Sequence, residues 1–180
     1  LRQDLLELQE ALSGAADKKP LLRTVQQSLL EVELRLSQLN IWEVRRTDAA
    51  ASPEQRALRR IEKATDGYID LDAFYGGIDD CEVIAVCSIT APAETPVLLR
   101  LGFDRELRVE LNGKTVFGPK KQRIARRDSC TIPLTLQPGE NKLKFDRRDD
   151  RLSFGFYARL SDPAGQPTGP WRWQDPPRQP

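Results

Sequence analysis

The chain has 180 residues, with 28 Lys and Arg against 27 Asp and Glu, three Cys, and neither His nor Met. A net charge of +1 excludes the excess that nucleic-acid and polybasic membrane binders use to concentrate against phosphate. Without His there is no Ser-His-Asp or Cys-His triad, no His-ligated zinc or haem and no imidazole base, and no run of about 18 apolar residues could span a membrane.

Residues 1–46 are helical in pattern. Leu1, Leu5, Leu8 and Leu12 form one series, and Leu22, Val25, Leu29, Val32, Leu36 and Leu39 form a second with a/d heptad spacing. Continued backwards, the second phase would put Asp4 and Lys18 on its seam, so the two series are expected to be two helices. Gly14 to Pro20 reads as the turn, with Pro20 near the start of helix two, where its missing N–H costs little. The seam either packs as a hairpin on its own domain or forms a coiled coil with a protein partner or a second copy. Leu21, Leu30 and Leu34 widen the apolar stripe and favour the latter.

Residues 47–65 read as a linker and a short helix. Ser52 is a candidate N-cap, Pro53 takes N1, and Gln55 closes a capping box. The helix is expected to run to about Lys63, with Ala57, Leu58 and Ile61 on one side.

From Tyr68 the period changes to two, and residues 66–162 read as a β-sandwich. Cys87 sits in an apolar run, Val83-Ile84-Ala85-Val86-Cys87-Ser88-Ile89, and reads as a small core residue on a central strand. Cys81 shares its parity at about 20 Å along an extended strand, too far to bridge; an odd Cys count leaves at least one free thiol. Val97, Leu99, Leu101 and Phe103 alternate with Leu98, Arg100 and Gly102, and Leu107, Val109 and Leu111 with Arg108 and Glu110. Asn112-Gly113 signals a hairpin, returned by a strand starting at Lys114. Ile132, Leu134 and Leu136 precede a Gln137-Pro138-Gly139-Glu140-Asn141 turn. Finally Phe154, Phe156, Ala158 and Leu160 face inward, with Gly155, Tyr157 and Arg159 outward. Seven or eight such strands indicate an antiparallel, jelly-roll-like sandwich. Residues 163–180 form a Pro-rich tail holding Trp171, Arg172 and Trp173, a candidate anchor in a neighbour or a cover for a sheet edge.

The cadence of residues 98–114, the Pro138-Gly139-Glu140-Asn141 turn, the terminal Phe154-Gly155-Phe156-Tyr157-Ala158-Arg159-Leu160 and the lead-in Asp66-Gly67-Tyr68-Ile69-Asp70-Leu71 resemble galactose-binding-like jelly-roll modules. That resemblance implies an accessory domain of a secreted or periplasmic bacterial protein, with a carbohydrate ligand as one expectation. Two features depart from it. Related modules often show paired Asp before the hairpin, which in the protective-antigen type hold calcium, whereas this chain has Asp104-Arg105, where the guanidinium is expected to neutralise the carboxylate. Where relatives place Trp before Leu-Asn-Gly, this chain has Glu110.

The remaining chemistry is in the charge distribution. Residues 66–117 carry four basic and ten acidic side chains, and residues 118–151 ten basic and five acidic. The basic group includes Lys120, Lys121, Arg123, Arg126 and Arg127. Either these loops compensate one another across the sandwich, or the basic one docks an acidic partner. With Phe117 the one aromatic near the cluster, a nucleic-acid stacking platform is missing. Asp79-Asp80 with Glu82 reads as a solvated loop. The expectation is a non-catalytic protein-interaction or assembly module without a cofactor, acting through the seam, the tail and the basic loop. The alternative is a carbohydrate-binding module with Tyr75, Trp171 or Trp173 stacking on sugar.

Overall fold

The computed structural model describes residues 1–13, 19–64, 66–77, 79–148 and 154–167. In chain order the elements are α1 (Arg2–Leu12), α2 (Lys19–Ser37), β1 (Ile41–Arg46), α3 (Pro53–Arg56), β2 (Arg59–Glu62), β3 (Tyr68–Asp70), α4 (Leu71–Tyr75), β4 (Glu82–Ala91), β5 (Thr95–Phe103), β6 (Arg105–Leu111), β7 (Lys114–Gln122), β8 (Cys130–Leu136), β9 (Gly139–Arg148) and β10 (Gly155–Ser161). The strands form a six-stranded sheet, β2-β1-β4-β9-β6-β7, and a four-stranded sheet, β3-β10-β5-β8. All pairings are antiparallel. From β3 to β6, and again from β7 to β10, successive strands alternate between the sheets. This is the jelly-roll-like sandwich that the alternation and the resemblance imply.

The inward residues of both sheets fill one core. Trp42 of β1 sits at its centre, with ring centroids 4.6 Å from Phe145 of β9 and 4.9 Å from Phe156 of β10. It is fully buried, and its Nε1 donates to the Leu39 carbonyl at 3.0 Å, which satisfies the polar atom that burial would otherwise strand. Cys81 and Cys87 are buried free thiols, and burial pushes the Cys87 thiol up to about 12.

Three expectations from the sequence are corrected. The helical stretch ends at Ser37 rather than at residue 46, because Trp42, Val44 and Arg46 alternate with Glu43 and Arg45, and residues 43–46 pair with β4. Leu39 of the heptad series is therefore not helical: it lies in the sandwich core, and its N–H donates to the Ala158 carbonyl. The sheet accordingly begins at Ile41 instead of residue 66. The Ser52–Gln55 capping box is present, yet its helix stops at Arg56, since residues 59–62 pair with β1.

The hairpin alternative describes the N-terminal helices. Val25 and Leu29 of α2 are buried together with Leu12 of α1, Leu22 and Val32 are half-buried, and the Leu36 side chain lies outside those described. Leu1, Leu8, Leu21 and Leu30 stay exposed.

A buried ion pair joins the two sheets. Asp104 lies between β5 of one sheet and β6 of the other, and Arg147 takes the inward slot of β9 after Asn141, Leu143 and Phe145. The Arg147 Nη2 donates to Asp104 Oδ1 at 2.9 Å, with both side chains at most 2% exposed. The Gly155 N–H donates to the same oxygen at 2.9 Å, and the Tyr68 hydroxyl to Oδ2 at 3.1 Å. The guanidinium also lies over Phe154, 4.9 Å from its centroid. Asp104 is thus neutralised by Arg147 across the sandwich, in place of the neighbouring Arg105 that the sequence suggests. Removing one partner strands a buried charge. Arg147→Met is expected to cost about 3–5 kcal/mol in urea unfolding, whereas a loss below about 1 kcal/mol would show the pair to be incidental.

Candidate ligand cleft on the four-stranded sheet

Register across the four-stranded sheet sets the side chains on its outer face in rows. Tyr68, Tyr157 and Gly102 form one row, and Arg159, Arg100 and Thr131 the next. Each belongs to a strand whose alternate residues are core, so the outward position follows from the pleat. Tyr68 and Tyr157 are in ring contact with centroids 5.0 Å apart.

Gly102 decides what covers this face. A β-carbon there would stand 2.0 Å from the Arg126 carbonyl oxygen, so only glycine lets the 123–129 loop lie down on β5. The loop then delivers Arg127 over the Tyr157 ring, 5.2 Å from its centroid, and Asp128 beside Arg159. Arg127 donates to the Asp66 carbonyl, and Arg159 Nε reaches Asp128 Oδ1 at 3.0 Å and Oδ2 at 3.1 Å. Gln38 closes one side, bridged to Arg159 along the backbone and close against Gly67. The result is a cleft of about 150 Å³ lined by Gln38, Gly67, Arg100, Arg127, Asp128, Tyr157 and Arg159.

Hydrogen bonds tune two of its groups. Asp66 accepts from the Tyr68 N–H at 3.0 Å and from the Tyr157 hydroxyl at 3.0 Å. Chiefly through that N–H, and despite partial burial, its carboxyl is held below the usual range. The Tyr157 hydroxyl is raised by burial first and by Asp66 second, so it remains a donor at neutral pH.

The residues singled out in the sequence fall elsewhere, Arg127 excepted. Tyr75 is buried at the end of α4 with its ring against Phe74 and offers no face for stacking. This corrects the glycan-stacking expectation there, since α4 turns an apparent loop aromatic into the core. Trp171, Arg172 and Trp173 lie outside the described residues. Lys120 and Lys121 belong to β7, and Arg123 is exposed. Asp79 and Asp80 are exposed. Tyr157, Arg100 and Gln38 are the residues sequence reasoning passed over. For Tyr157 the outward parity on β10 was a usable signal, but its neighbours come from residues far away in the chain.

No protein-family model matches the chain, and no curated protein matches it. Solved structures resemble it at 13% identity. One is a β-glucosidase from Kluyveromyces marxianus in complex with glucose, covering 68% of this chain with a TM-score of 0.48; the chain spans 16% of that enzyme's length. A family 35 carbohydrate binding module from Clostridium thermocellum covers 68% of this chain and 90% of its own length, with a TM-score of 0.38. A PA14 sugar-binding domain from an RTX adhesin covers 76% and 94%, with a TM-score of 0.46. At this identity the ligand has to be argued from the chain's own residues.

Two outcomes follow from the cleft's construction. Gly102→Ala is expected to lift the loop from β5, costing about 1–3 kcal/mol in urea unfolding and shifting the amide resonances of residues 126–128; unchanged resonances would contradict the contact. Asp66, and Asp48 held down by Arg46, have lowered folded pKa values. Their contribution is fully present above the ordinary carboxylate range and is lost as pH falls through the lowered values. Asp66→Asn should therefore flatten the acid limb of the stability profile.

Proposed function

We propose that the chain is a non-catalytic binding module that takes a single sugar ring of a glycan in the cleft on the four-stranded sheet. The observation that carries this is one concavity in which Tyr157, with the Arg127 guanidinium over its ring, adjoins Asp128, Arg159 and Gln38, a set of planar hydrogen-bonding groups beside an aromatic edge. A pyranose has an apolar C–H face and a rim of hydroxyls. Its recognition needs an aromatic surface for the first and planar, multiply bonding groups for the second. The volume of about 150 Å³ is below that of a drug-sized pocket and suits one ring with the remaining glycan outside.

The heptad positions expected to meet a protein partner give that rival reading little support. Val25 and Leu29 pack toward α1, and Leu39 belongs to the sandwich. The six-stranded sheet offers a charged surface on which Glu82, Glu106 and Asp146 stand beside Arg108 and Arg148.

A glycan array at physiological salt, followed by titration calorimetry of its best ligands, tests the proposal. Tyr157→Ala is expected to weaken binding at least about tenfold, the worth of one aromatic contact. A silent array, or an unchanged affinity in Tyr157→Ala, would contradict it.

A further inference from the structure

We propose that the sugar this cleft accepts is acidic, and that Arg100 receives its carboxylate. The inference rests on reading the cleft as a sugar site and adds the charge of the ring.

Three guanidiniums line the cleft, and two have a carboxylate. Arg159 is paired with Asp128, and Arg127 lies 3.8 Å from Asp66. Arg100 differs. Its Nε donates to the Ser161 hydroxyl and its Nη1 to the Thr131 hydroxyl, both at 3.2 Å. Among the described residues neither bond is to an anion. Two hydroxyls orient the fork without neutralising it, and of five N–H donors on a guanidinium most stay open. The turn at Gly165 adds to the fixing, since a β-carbon there would stand 2.8 Å from Nη2.

Register makes the excess charge local. Arg100 and Arg159 are directly opposed on β5 and β10, an arrangement of like charges that a sheet face disfavours. Asp128 offsets one of them. A carboxylate beside Arg100 neutralises its charge and supplies acceptors in the planar geometry that a guanidinium fork matches. A neutral hydroxymethyl group would do neither. The ring chemistry this defines is a hexuronate with its carboxylate toward Arg100.

The test is calorimetric titration of the full chain with the methyl glycosides of glucuronic and galacturonic acid, of glucose and galactose, and with glucose 6-sulfate. The expected result is that at least one uronide binds at least about tenfold more tightly than its neutral counterpart. Arg100→Gln should remove that preference, and Arg100→Lys should restore only part of it. In the wild type, uronide affinity should fall as salt is raised while neutral affinity holds, a readout that stands even if Arg100→Gln fails to fold. Equal binding of neutral and acidic sugars would overturn the carboxylate assignment and leave the sugar site standing. Tighter binding of the sulfate, or a preference intact in Arg100→Gln, would also overturn it. No binding of any sugar would remove the site itself.

Discussion

Asp104 occupies the point where the chain leaves one sheet and enters the other, and its carboxylate collects a guanidinium, a backbone N–H and a phenol hydroxyl from three further strands. Burying one charge is costly; burying two in contact, with the remaining lone pairs filled, is what makes such a pair tolerable. The geometry then has one solution. Arg147 must come from β9, Gly155 must lie beside Asp104 with no side chain in the way, and Tyr68 must lie across Gly155. A β-carbon at Gly155 would stand 2.3 Å from the Tyr68 ring. The clamp reaches the cleft through Tyr68, whose hydroxyl is pushed far up, by burial first and by the Asp104 charge second, and so stays a donor. Its ring packs on Tyr157, so a contact made for folding also sets the floor of the candidate site.

The near-neutral net charge hides a division that the fold resolves. Glu82 meets Arg148, Glu106 meets Lys121, Glu110 meets Lys144, Asp104 meets Arg147 and Asp66 meets Arg127. Each pair joins the acidic first half of the sandwich to its basic second half, and four of the five are partly or well exposed, worth roughly 0–1 kcal/mol apiece. Of the basic group, Lys121 and Arg127 take part in this compensation. In the cleft Arg127 and Arg159 each have a carboxylate, and among the described residues Arg100 has hydroxyl partners alone.

The sandwich was readable in the sequence wherever period-two alternation ran for five residues or more beside a turn of fixed geometry. Asn112-Gly113 and Pro138-Gly139-Glu140-Asn141 are such turns, and the structure ties them together, with Asn112 Nδ2 donating to Asn141 Oδ1 at 3.0 Å. Strands β1 and β2 were not readable. Leu39 fits the heptad phase that precedes it, and residues 59–62 continue a capped helix, so local signals point to helix in both places and only the pairing of the two strands with the sheet decides otherwise. The cleft was less legible still. Gln38, Arg100, Arg127 and Tyr157 meet only because β10 pairs with β5 in one register and Gly102 admits the loop. Length and composition carry no trace of either.

The proposed ligand surface is the outer face of β5 and β10, not the loops at the ends of the sandwich. The most direct measurement is amide chemical-shift mapping of the full chain during titration with a sugar that the glycan array selects. Shifts concentrated at residues 100–102, 126–129 and 157–161 are the result the account predicts. Shifts confined to the Asp79-Asp80 or Asn112-Gly113 turns, with β10 unperturbed, would contradict it.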